Sequence, residues 1–143
     1  MAAQAILLPL FVEVILTFAL LFWLAPLRAR NFATGAVRRE DIALREQKWP
    51  QQTLQVGNSF SNQFELPVLF YVLTILAFVT RLAGILFVML AWIFVLFRLL
   101  HAFVHVTSNN VQRRGVLFIV SAVVLAVMWI GYMVQVLTLP RPV

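Results

Sequence analysis

The stretch NQFELPVLFYVLTILAFVTRLAGILFVMLAWIFVLFRLLHAFVH, residues 62–105, decides the fold. It holds two apolar runs, 64–80 and 82–104, each close to the ~20 residues a helix needs to cross hydrocarbon. Little more than TRLAG separates them, so the spacing predicts a tight antiparallel hairpin of membrane helices with Gly84 as its bend. Outward from the hairpin, further apolar runs occupy 5–25 and 116–137. The expectation is an all-α integral membrane protein, a bundle of four transmembrane helices forming a single domain over residues 1–143.

Composition points the same way, because 63% of the residues are hydrophobic and 11% charged, far from the soluble globular range. Cysteine is absent, which removes disulfides, thiolate metal sites and cysteine nucleophiles. The net charge of +6 is concentrated in two places. Arg28, Arg30, Arg38, Arg39, Arg45 and Lys48 lie between the first two runs, and Arg113 and Arg114 between the last two; the opposite side receives Arg81 and Arg141. The positive-inside rule then places both basic segments in the cytoplasm and both termini outside it, in the inner (plasma) membrane for a bacterial protein. Membrane lipid is the expected partner and nucleic acid is not. The first run is read as a span and not a cleaved leader, since no Lys or Arg stands within residues 1–5 and Glu13 interrupts it. AVRREDIALREQKWP, 36–50, reads as a short surface helix ended by Pro50, and the terminal LPRPV matches no retrieval signal.

Polar residues mark one face at each end of the hairpin. Upstream, Gln51, Gln55, Asn58, Asn62 and Glu65 are spaced 4, 3, 4, 3, so a continuous helix over 51–80 carries them on one side. Such a helix is about 45 Å long, more than the ~30 Å core, and its basic end protrudes or tilts. Asn62 with Glu65 can be a helix cap resembling a capping box, but the longer stripe and the cost of ionisable groups at membrane depth favour a site. Downstream, Arg98, His101, His105 and Ser108 are spaced 3, 4, 3 and again share a face. Antiparallel geometry brings Arg98 to the depth of Glu65, where the two charges can neutralise one another.

Two histidines at i and i+4 suggest a metal, yet no acidic residue completes a ligand set and Arg98 repels a cation, so no metal site is assigned. Arg113 and Arg114 are either anchors that snorkel to lipid phosphates or members of the site. Glu13 has no basic residue obviously at its depth; it is read as protonated, or paired with Tyr71 or Trp92, in a helix contact.

Four spans, a long basic first loop, NQFELP on the second helix and RLLHAFVH followed by RR resemble the MAPEG family, membrane-associated proteins in eicosanoid and glutathione metabolism. The resemblance covers almost the whole chain and implies a homotrimer with glutathione held between subunits near the cytoplasmic face. It implies that Asn62 and Glu65 contact the glutathione backbone and amino group. Arg98 and His101 match the family's arginine and its partner three residues on, and His105 stands where tyrosine is frequent. Arg114 or Arg113 matches the arginine that steadies the thiolate. The chain departs from the family pattern at 58–61, where Asn58, Ser59, Phe60 and Ser61 replace an arginine just before the N-x-x-E pair. The resemblance thus implies a glutathione-dependent transferase or peroxidase acting on lipophilic small molecules. The reading of different class is a non-catalytic lipid-binding or accessory subunit.

Overall fold

The computed structural model describes residues 1–44 and 48–138. Four helical spans alternate in direction, and all four are long and apolar enough to cross a membrane. The first is α1 (Ala3–Ala33), the second is made of α2 (Gln51–Asn62) and α3 (Leu66–Val79), the third is α4 (Ile85–Val106) and the fourth is α5 (Val111–Thr138). Among the described residues there is no strand. A 3₁₀ turn at Arg39–Ile42 occupies part of the connection between α1 and α2. The helix expected over 36–50 is therefore reduced, within the described residues, to that turn, while Arg45 and the Arg141 of the terminus lie outside them.

The first span is longer than its apolar run. Pro9 and Pro26 sit inside α1 without ending it, so Arg28 and Arg30, read as loop residues, occupy its last turns. A helix of that length is about 46 Å long, which carries those cations beyond an apolar layer of ~30 Å. There α1 packs on α2: Asn31 Nδ2 donates to Thr53 Oγ1 at 2.6 Å, and the Arg28 guanidinium lies 5.2 Å from the Trp49 ring centroid.

The second span is broken where a continuous helix was expected. Pro67 has no N–H, and its ring collides with the carbonyl four residues back, that of Gln63. The chain answers by tightening: the amides of Gln63 and Phe64 bond three residues back, to Phe60 O and Ser61 O, each at 3.0 Å. Glu65 lies at φ −100, ψ −109, outside both the helical and the extended regions, and α3 starts afresh with Pro67 in its first turn. The polar stripe consequently ends at Asn62, and Glu65 stands beyond the break. Gln51 and Asn58 face outward, while α2 buries Thr53, Val56, Gly57 and Ser59.

The hairpin is closed by Arg81 and not by Gly84. Arg81 adopts the left-handed conformation, φ +58. Its amide bonds to Phe78 O at 3.2 Å and the Leu82 amide reaches Ala77 O at 3.0 Å, the two bonds of a Schellman cap. Gly84 precedes α4 at φ −87, a conformation open to any residue.

The core is divided along its length. Toward the hairpin end it is apolar, built on Phe70, Leu73, Ala77, Ala91, Phe94, Leu125 and Met128, with Phe70 and Phe94 stacked at 4.6 Å. Toward the basic end buried polar residues, among them Ser59, Gln63, Arg98, His101 and His105, join buried apolar ones such as Leu24, Val56 and Ala102. The outer faces of all four spans carry large exposed apolar side chains, among them Phe22, Ile75, Ile85, Phe103 and Ile130, which suits contact with lipid chains.

Candidate functional site

Arg98 is the centre of the polar end. Its side chain and that of Glu13 are both fully buried, with Arg98 Nε 3.8 Å from Glu13 Oε1. The sequence alone pairs Arg98 with Glu65 and leaves Glu13 either protonated or paired with Tyr71 or Trp92. The structure instead pairs Arg98 with Glu13, because α1 packs directly against α4 at this level. An isolated charge in such surroundings costs far more than hydrogen bonding recovers, and the opposite charge offsets it. A count of charges inside the apolar runs gives Glu13, Glu65 and Arg98; that count was the signal that Arg98 had two acidic candidates.

Glu65 is reached indirectly. Arg98 Nη2 donates to the Asn62 backbone carbonyl at 3.3 Å and to Asn62 Oδ1, and Asn62 Nδ2 donates to Glu65 Oε2 at 3.0 Å. The helix break makes this arrangement available. In an unbroken helix the Asn62 carbonyl would be occupied by the amide of Leu66; here it accepts from Arg98 and, at 3.4 Å, from the Glu65 amide. Glu65 itself is exposed at the rim. Gln63, which sequence reasoning passed over, is buried in the break with its Nε2 donating to Ser59 O at 3.1 Å.

One turn farther along α4, His101 and His105 are buried and face α5, their rings perpendicular with centroids 5.6 Å apart. His101 lies 6.0 Å from the Phe118 ring, and the same ring is 6.0 Å from the Arg98 guanidinium. The Nδ1 atoms of both histidines are buried without a hydrogen-bond partner. Ser108, the last member of the expected stripe, lies past the end of α4 and is exposed. Among the described residues no cluster of three or more His, Cys, Asp or Glu could hold a metal ion.

The link from α4 to α5 sets the remaining cation. Asn109 is left-handed at φ +48, its amide bonded to Val104 O at 2.7 Å. Its side-chain Oδ1 accepts from Arg114 Nη1 at 2.8 Å. Asn110 Oδ1 caps α5 by accepting from the Arg113 amide at 3.0 Å. Neither asparagine was singled out in the sequence.

These elements enclose a pocket of about 370 Å³ lined by Asn62, His101, His105, Val111, Arg114, Gly115, Phe118 and Ile119. Of the residues expected at a site, Asn62, His101, His105 and Arg114 line it together. Arg98 and Glu65 stand one hydrogen bond behind Asn62. Arg113 faces a separate groove with Val104, Gln112, Val116 and Leu117, so adjacent arginines on α5 serve different surfaces, as the 100° turn between neighbouring helix residues requires.

A broken second span, a buried ion pair and a cation-bearing pocket at the basic end define a four-helix integral membrane protein with a polar site at one end of the bundle. The chain belongs to the MAPEG family, whose model matches residues 6–134. No curated protein and no solved structure gave a match.

Proposed function

We propose that the pocket binds glutathione and that the protein is a glutathione-dependent transferase or peroxidase for lipophilic electrophiles arriving from the bilayer. The observation that carries this reading is the convergence of Arg114, Asn62 and two histidines on one pocket with an apolar wall. Its volume falls within the ~300–1,000 Å³ of small-molecule sites. Asn62, His101 and His105 would hold the peptide's polar groups, with Glu65 at the rim toward its ammonium group and Arg98 fixing Asn62 from behind. Phe118, Ile119 and Val111 would take the apolar partner.

The chemistry supplied by the bound peptide is that of its thiol, which titrates near ~8.5 when free. Arg114 favours the thiolate through its charge, and the pocket orients the sulfur toward the lipid side. A new bond forms from that sulfur to the electrophilic carbon while the leaving group departs with its electron pair. Family membership supports a homotrimer that places this open pocket between subunits, and the distribution of Arg and Lys supports a cytoplasmic basic end.

A second reading, a non-catalytic lipid-binding or accessory subunit, is favoured by one observation. The segment 58–61 supplies no cation, so Arg114 alone among the lining residues offers a permanent positive charge to the peptide's two carboxylates. Thermal unfolding in detergent separates the two, since a ligand at 100 times its Kd stabilises by ~2.7 kcal/mol and a scaffold does not respond. In a conjugation assay with glutathione and a chlorinated nitrobenzene, Arg114→Ala should lower kcat about a hundredfold, within the range for removal of one charge-stabilising donor. Arg113→Ala should have the smaller effect. An Arg114→Ala variant with unchanged kcat would remove the assigned chemistry.

A further inference from the structure

Glu13 is buried, charged by nature, and has no place in the chemistry just described. It reaches the pocket wall through a chain of contacts across three helices: Glu13 on α1 to Arg98 on α4 at 3.8 Å, Arg98 to the Asn62 carbonyl and side chain at the end of α2, and Asn62 to Glu65 across the break at 3.0 Å. An amide side chain has one acceptor end and one donor end. With Arg98 on the acceptor side and Glu65 on the donor side, one orientation of Asn62 satisfies both neighbours, and reversal would set its NH₂ against a guanidinium. We propose that Glu13 is a positioning residue of the pocket: by holding the Arg98 guanidinium at Nε while Nη2 donates to Asn62, it sets the orientation of the Asn62 amide and the form of the break that presents Glu65.

The geometry separates this from a role in packing alone. Among the described residues both Glu13 oxygens, and Arg98 Nε and Nη1, have no hydrogen-bond partner, so the pair holds by charge and not by a bidentate fork. An ion pair of that kind gives weak support to stability. The hydrogen bonds of Arg98 are all directed to Asn62 among the described contacts. What the pair fixes is therefore the wall of the pocket.

The test uses the full chain in lipid nanodiscs with two readouts. Hydrogen exchange of the peptide covering 60–70 reports the break without any ligand, and titration with glutathione reports the pocket; the second readout rests on the glutathione reading and the first does not. Glu13→Gln keeps the shape and removes the charge. It should speed exchange at the break and weaken glutathione binding by about tenfold or more, the worth of a hydrogen bond to a charged group. In an Arg98→Met background the same substitution should change neither, since Glu13 acts through Arg98.

The double variant Glu13→Gln/Arg98→Met removes both buried charges and should melt close to the wild type, which keeps the test readable if Glu13→Gln alone fails to fold. Its break should still exchange fast. Wild-type exchange over 60–70 in the double variant would overturn the proposal, as would an undiminished effect of Glu13→Gln in the Arg98→Met background. Failure of wild-type protein to bind glutathione would sink the functional reading and leave the exchange result to decide on Glu13.

Discussion

At the scale of the residue, side chains that line the pocket at the basic end are held by others that do not line it. Asn109 does two jobs with one residue type: it tolerates the left-handed turn and accepts from Arg114. Glycine does only the first. Asn109→Gly should therefore preserve the fold and melting temperature while lowering conjugation activity about tenfold, the worth of the lost charge-assisted bond; an equal loss of stability would show that the turn, and not the anchor, was disturbed. Gly115 offers a complementary probe. A Cβ built there meets nothing within 4 Å, and the position lines the pocket. Gly115→Leu should gain up to about 1 kcal/mol of helix stability and abolish the glutathione-induced thermal shift by filling the pocket mouth.

At the scale of the element, the breaks in regularity are what place the site. Pro67 was visible in the sequence, and so was the polar stripe, but a stripe counted at helical spacing presumes that the helix continues. Pro67 falls at the start of a new helix, and the break leaves the Asn62 carbonyl to Arg98 while Asn62 Nδ2 still donates to Glu65 Oε2, whereas Pro9 and Pro26 lie inside α1 without ending it. The hairpin shows the opposite error: glycine is the usual mark of a bend, yet Gly84 is extended and Arg81 carries the positive φ. A left-handed non-glycine residue costs roughly 1–2 kcal/mol, part of which glycine returns through its freer unfolded chain. Arg81→Gly should raise stability by about 1 kcal/mol in chemical denaturation followed by helical circular dichroism. A decrease would mean that the Arg81 side chain has an anchoring role larger than its backbone strain.

At the scale of the whole molecule, buried polar groups are concentrated toward the basic end of the core, beside apolar ones, and the hairpin end is mostly apolar, an asymmetry that matches the charge distribution along the chain. Absence of cysteine makes the orientation directly measurable. Single cysteines at Glu40 and Thr80, both exposed and at opposite ends, should react with an impermeant maleimide from opposite sides of a sealed membrane, Glu40→Cys from the cytoplasmic side. Labelling of both from one side would reverse the proposed topology or remove a span.

The sequence by itself determined the number of spans and their alternation, because both follow from the lengths of the apolar runs and from the cost of placing charge in hydrocarbon, and the order of its short motifs pointed to the family. Asn62, His101 and His105 were legible as pocket candidates from helical spacing, while the preference for Arg114 over Arg113 came from the family resemblance. Only the tertiary structure decided that Arg98 meets Glu13, that Arg113 and Arg114 part company, and that Asn109 holds the latter. Those outcomes depend on which helices touch and at what rotation, and residues far apart in the chain, such as 13 and 98, are matched by packing that no local pattern records.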